Sequence, residues 1–346
     1  MTLYILICGL YYLSVGFLLL RGRKEHPEGA LSEAAFLSRA HTDSMKGIAA
    51  LGIVVSHLAE RLSAGVSGPM KLLLWFGTSL GGFGVNLFFF ASGFGNYYST
   101  RKLQNSRQTA SWLGKRVANI LIVYLVCFTL AELLLRLLGY RAGLRETGAC
   151  LLSLKMPMSV TWYLKIQLLL YGVLVLSLLV QSRAARAAII IGLSFALALG
   201  CYTMGFHGQW WKSTMCFCVG YFAAEYKSSV FQFLSAHQKQ AWRISLVCFA
   251  VLFVAVNPFD NFVVKVLGNG LLLLSTVVLA ELAGLDNAAL SKAGGCSLEL
   301  YLIHIAFSAW FLGANTPSNF GVMLVVAVTA VLSVAARYLN RKLTIK

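Results

Sequence analysis

Lys46 and His57 stand eleven positions apart in an otherwise apolar stretch, DSMKGIAALGIVVSHL, residues 43–58. On a helix, eleven residues turn through about 1100°, three turns and roughly 20°. Both side chains then point to one side, roughly 16 Å apart along the axis. Ionisable groups inside an apolar span are costly and normally face a protein interior or a water-lined path. A hydroxyl becomes a useful nucleophile when a group titrating near neutrality removes its proton, and histidine fits that range. His57 is therefore a candidate general base or proton relay. A buried histidine bonded to a neighbouring hydroxyl or carbonyl is the structural alternative. Lys46 can bind an anionic phosphate or the thioester side of a donor. It can equally form an ion pair with Asp43, three residues earlier, at the start of the helix.

Of the six histidines, only His57 and His304 fall inside apolar runs. His26, His41, His207 and His237 fall in loops or flanks, where solvated roles are the default. His304 follows Tyr301 by three residues and shares its helix face. It is a candidate for catalysis, for substrate contact or for an interhelical hydrogen bond. Arg116, with Lys115, Arg101 and Arg107, can bind nucleotide phosphates, although orientation signals also place cations there. Ser92 lacks a nucleophile-elbow setting, and a small Ser-Gly pair suits close helix packing. Asn86 can bond a partner helix or an acyl carbonyl. Trp162 and Tyr163 suit an interfacial belt, and Lys165 can snorkel or meet an acceptor phosphate. Glu132, Glu281 and Glu299 are possible interhelical partners for these cations, with the pairing open.

The elements that must hold these residues are membrane helices. Charged residues make up 12% of the 346 and hydrophobic ones 58%, against about 25% charged in soluble domains. The mean hydropathy is +0.75. Apolar runs of about 20 residues suffice to span a bilayer. They lie at 3–20, 42–61, 79–99, 117–138, 159–181, 186–204, 210–226, 242–259, 263–283, 296–313 and 319–338, the shortest being 210–226. The expected fold is an all-α polytopic bundle of about eleven transmembrane helices. The first run has no basic residues before it and RGRK after it, so it reads as a span and not a cleaved signal.

The net charge of +17 comes from short clusters between apolar runs, without the basic-aromatic surface that nucleic-acid binding requires. With the amino terminus outside, 20 of the 29 basic residues fall on the inner side and 8 on the outer, as the positive-inside bias demands. The carboxyl terminus is then cytoplasmic. Among the eight cysteines, Cys216 and Cys218 lack the spacing of a metal knuckle or redox pair, so no metal site is expected.

Five motifs in order carry a resemblance. They are RAHTDSMKGIAALGIVVSHL at 39–58, NLFFFASGFGNYYS at 86–99, WLGKRVANILIVYL at 112–125, TWYLKIQLLLY at 161–171 and SLELYLIHIAF at 297–307. Together they resemble the membrane acyltransferase-3 family over about residues 39–338. The resemblance implies ten core helices, with residues 1–38 an added amino-terminal helix and linker and residues 339–346 a short basic tail. It implies transfer of an acyl group, commonly acetyl from cytoplasmic acetyl-CoA, to a glycan or lipid-linked glycan outside. The donor is a substrate, and no bound cofactor is implied. Two departures stand out. Arg116 is followed by Asn119 where the family commonly carries a second Arg, and the chain ends soon after its last span, as a stand-alone transferase would. The remaining alternative is a proton-coupled secondary transporter using the same His and Lys residues.

Overall fold

The computed structural model describes residues 2–25, 32–63, 66–157, 161–256, 258–259, 261–312 and 318–344. Among them the regular elements are helices. α1 (Thr2–Glu25), α2 (Arg39–Leu62), α3 (Pro69–Thr100) and α4 (Ser106–Leu137) are followed by the short α5 (Leu144–Leu152). Next come α6 (Trp162–Ser177), α7 (Arg183–Thr203), α8 (Met215–Glu225), α9 (Lys227–Ala236) and α10 (Gln238–Ala255). The chain ends with α11 (Phe262–Leu282), α12 (Ala288–Gly295), α13 (Ser297–Leu312) and α14 (Asn319–Leu343). Local chemistry sets many of the starts. Ser38, Asn105, Ser182, Asn261, Asn287 and Ser318 each accept a backbone N–H of the first turn, and Pro69 opens α3, where its missing N–H costs nothing.

Among the described residues, α3, α4, α7, α11 and α14 are long and apolar enough to cross a membrane, and α12 with α13 forms a sixth such unit bent by 70°. The fold is an all-α polytopic membrane bundle. Its surface agrees: Leu246, Val247, Val251, Leu267, Leu271, Val331 and Val334 are all exposed on long helices, as lipid contact requires.

Several expected spans take a different form. The run 210–226 contains an eleven-residue helix, α8, which covers only about half of a bilayer. Lys212 lies beside Gly82 of α3 and Glu225 shares a hollow with Arg101, so the segment still runs along α3, and the chain then turns at Tyr226 directly into α9. The run 159–181 contains the sixteen-residue α6; its residues 159–160 lie outside the described set. α14 continues to Leu343, so most of the expected tail is helix, with Asn340 buried.

Close approach of glycines fixes the packing around α2. A Cβ at Gly294 would collide with the Asp43 carbonyl, and one at Gly47 with that of Leu290. This contact seats α12 on the first turns of α2, so that α13 begins beside Lys46. A second such contact joins Gly93 of α3 and Gly220 of α8, whose Cβ positions point into the Phe217 and Phe90 carbonyls. The helix-packing role expected for the Ser92–Gly93 pair is thus met at Gly93. α1 lies on the outside of α2 and α3, with Tyr11 donating to the Ile48 carbonyl at 3.1 Å and Tyr12 to that of Phe76 at 3.0 Å.

Candidate active site

Lys46 and His57 both face α13, as their spacing requires. Lys46 shares a cavity wall with Ser297 and Leu298. Near the other end of α2, the His57 ring meets that of His304 edge to face, with centroids 5.0 Å apart. His304 is fully buried. Its Nδ1 lies 2.7 Å from the Leu300 carbonyl, and a carbonyl only accepts, so Nδ1 carries the proton. That leaves Nε2 with a free lone pair, and it has no hydrogen-bond partner among the described residues. The buried Tyr301 hydroxyl is unpartnered as well. His57 is about a quarter exposed, and its Nδ1 lies 3.8 Å from Glu60 Oε2, too far for a hydrogen bond. Two bases thus meet at the α2–α13 contact, one partly exposed and one held in a single tautomer.

The second half of the site is a polar cavity of about 230 Å³ between α2, α3, α4, α6 and α13. Lys46, Ser92 and Arg116 line it together, so three expected donor residues from three helices converge. Gln167, Asn96 and Tyr171 complete its polar wall. Gln167 Oε1 accepts from Tyr163 at 3.3 Å while its buried Nε2 has no partner among the described residues. Asn96 donates to Ser92 at 3.3 Å. The Arg116 guanidinium lies 6.0 Å over the Trp112 ring. Tyr163, in the cavity wall, begins a run of aromatic contacts towards the histidines. It meets Tyr301 at 5.6 Å, Tyr301 meets His304 at 6.2 Å, and His304 meets His57.

Other expected residues have different places. Asp43 accepts from Lys46 at 2.5 Å and faces Arg39 at 3.5 Å, so the helix-start ion pair exists and its lysine also reaches the cavity. Asn86 is fully buried and donates to Asn269 of α11 at 2.7 Å; it joins two helices and does not line the cavity. Trp162 packs on Phe89, and Lys165 sits 5.7 Å over Trp210. The three glutamates pair elsewhere. Glu132 binds Arg136, Glu281 binds His41 at 3.0 Å, and Glu299 binds Asn340 at 2.9 Å and faces Arg337 at 3.6 Å. His41 is therefore buried and paired, not solvated as its flank position suggests; His26 lies outside the described residues.

Gln167, Asn96 and Tyr171 went unnoticed in the sequence. Helical spacing carries a signal for all three: Tyr163, Gln167 and Tyr171 repeat every four residues on α6, as do Ser92 and Asn96 on α3. The described residues contain no group of three or more His, Cys, Asp or Glu able to hold a metal ion.

Fold and site define a class: a helical integral membrane protein with a polar cavity and a packed pair of histidines within the bundle. The sequence profile of the acyltransferase-3 family, described as an acyltransferase domain, matches residues 40–338. The chain belongs to that family of membrane acyltransferases. No curated protein and no solved structure matches it.

Proposed function

We propose that the protein transfers acetyl from cytoplasmic acetyl-CoA to a hydroxyl of a cell-surface glycan or of its lipid-linked precursor. The observation that carries this reading is the His57–His304 pair, with its free Nε2, on the helices that also frame the Lys46–Arg116 cavity. In this reading the protein lies in the plasma membrane with its amino terminus outside and its carboxyl terminus in the cytoplasm. The donor enters from the Lys46 side and the acceptor from the His57 side.

His57 takes the proton of the acceptor hydroxyl as its oxygen attacks the thioester carbonyl. The C–O bond forms, the C–S bond breaks, and the CoA thiolate leaves and is protonated. Gln167 Nε2 and Arg116 offer donors within the cavity for the amide and hydroxyl oxygens of the donor's pantetheine arm, whose acyl end reaches on towards the histidines. His304, locked as the Nδ1–H tautomer, offers Nε2 to the proton on its way from the acceptor. Tyr301 supplies a hydroxyl beside it.

The test is incorporation of labelled acetyl from acetyl-CoA into the envelope glycan of membranes containing the protein, with surface glycans compared between a deletion strain and its parent. Loss of O-acetyl groups on deletion supports the reading. Identical glycans, with no transfer by the membranes, refute it.

A further inference from the structure

A second concavity adjoins the polar cavity. It measures about 530 Å³, and its charged lining comprises Arg39, Lys292, Arg337, Arg341 and one carboxylate, Asp43. The cations come from α2, α12 and α14, distant in sequence, and converge on one hollow. Positive-inside placement accounts for cations on cytoplasmic flanks. It does not account for their convergence. Asp43 is already held by Lys46 and Arg39. Arg337 faces the buried Glu299, and its buried Nε has no partner among the described residues. Lys292 and Arg341 have no carboxylate within ion-pair distance among the described residues. The hollow thus presents an excess of positive charge with hydrogen-bond donors unspent, which is the chemistry that recognises phosphate.

The two cavities share a wall. Gly295 and Cys296 line the basic hollow, and the next two residues, Ser297 and Leu298, line the polar one. These four residues are the bent junction of α12 and α13. On α2 the same division falls between Asp43 and Lys46. A ligand with phosphates at one end and a polar arm rich in hydrogen-bonding groups leading from them would fit the pair of sites. The other basic hollow, with Arg101, Arg183 and Arg186, also holds Glu225. Two of its cations are engaged: Arg101 lies 4.9 Å over Tyr98, and Arg186 donates to the Val180 carbonyl, while its buried Nε has no partner among the described residues.

We propose that Arg39, Lys292, Arg337 and Arg341 form the subsite for the phosphates of the acyl-CoA nucleotide, with the pantetheine arm crossing the α12–α13 junction into the Lys46–Arg116 cavity. This rests on the acyl-CoA donor proposed above. The shared chemistry is phosphate, which an anionic lipid headgroup also carries, so the experiment separates the two.

The protein is reconstituted in nanodiscs of neutral phosphatidylcholine. Binding of acetyl-CoA and of adenosine 3′,5′-bisphosphate is measured for the parent, for Lys292→Gln with Arg341→Gln, and for Arg183→Gln as a charge control. Both altered lysine and arginine side chains are exposed, so the double variant should fold; size-exclusion profiles check this. The double variant should lose about tenfold or more in affinity for both probes, as expected for two charge-assisted contacts. Arg183→Gln should stay within about threefold of the parent, and Lys292→Arg should retain binding. Unchanged acetyl-CoA affinity in the double variant, with a binding parent, overturns this inference and leaves the acyl-CoA donor standing. Unchanged nucleotide binding with loss of phosphatidylglycerol-dependent thermal stabilisation assigns the hollow to a lipid headgroup and likewise overturns it. A parent that binds no acetyl-CoA overturns the donor reading together with this one.

Discussion

Replacing His57 by alanine removes the partly exposed base of the histidine pair. Losing a positioned general base typically costs 10²–10⁴-fold in rate, equivalent to about 2.7–5.5 kcal/mol on the barrier. The structure argues for that full range. Glu60 stands 3.8 Å from His57 Nδ1 and is more than half exposed, so it is poorly placed to take over. His304 is fully buried behind the His57 ring and has only Nε2 to offer. His304→Ala should therefore cost less than His57→Ala, about tenfold to a hundredfold. If the two rings act on one proton, the double variant should be no slower than His57→Ala alone. Glu60→Gln should stay within about threefold of the parent. The assay is labelled acetyl transfer from acetyl-CoA to envelope glycan in membranes matched for inserted protein. Added imidazole should partly restore His57→Ala, because the His57 side chain is about a quarter exposed and its removal leaves room beside His304. A His57→Ala variant that keeps more than about half the parental rate would refute the assignment.

Lys46→Ala should weaken acetyl-CoA binding and Lys46→Arg should retain more of it, since the cavity needs a cation beside Arg116; unchanged affinity with normal insertion would leave Lys46 only its ion pair with Asp43. Gly294→Val should destabilise the protein by about 1–3 kcal/mol, because its side chain collides with the Asp43 carbonyl and separates α12 from α2. Thermal unfolding in detergent checks this, and a midpoint within about 1 °C of the parent would refute the tight contact. Cysteines placed in the 101–107 segment should react with membrane-impermeant reagents only after the cells are opened; labelling of intact cells would refute the amino-terminus-out orientation.

The sequence by itself determined the class of this protein and the face of α2 that Lys46 and His57 share. Hydropathy and charge clustering are properties of consecutive residues, so they specify membrane helices without reference to partners. The 100° step of a helix likewise places Lys46 and His57 on one face, and Tyr301 beside His304. The spacing of Tyr163, Gln167 and Tyr171 was equally local and could have been read. What the sequence left open was every contact between helices. That His57 meets His304, that Lys46 joins Arg116 and not a glutamate, and that Asn86 bonds Asn269 all depend on which helices approach and at what angle. Those choices are made by shape: glycines at 47, 93, 220 and 294 allow backbones to touch, and the 70° junction of α12 and α13 sets the two helices against different hollows. Hydropathy also does not fix helix length: 210–226 reads as one apolar run, and only eleven of its residues form α8. Its apolar residues are buried by neighbouring helices, and burial by protein selects the same side chains as burial by lipid.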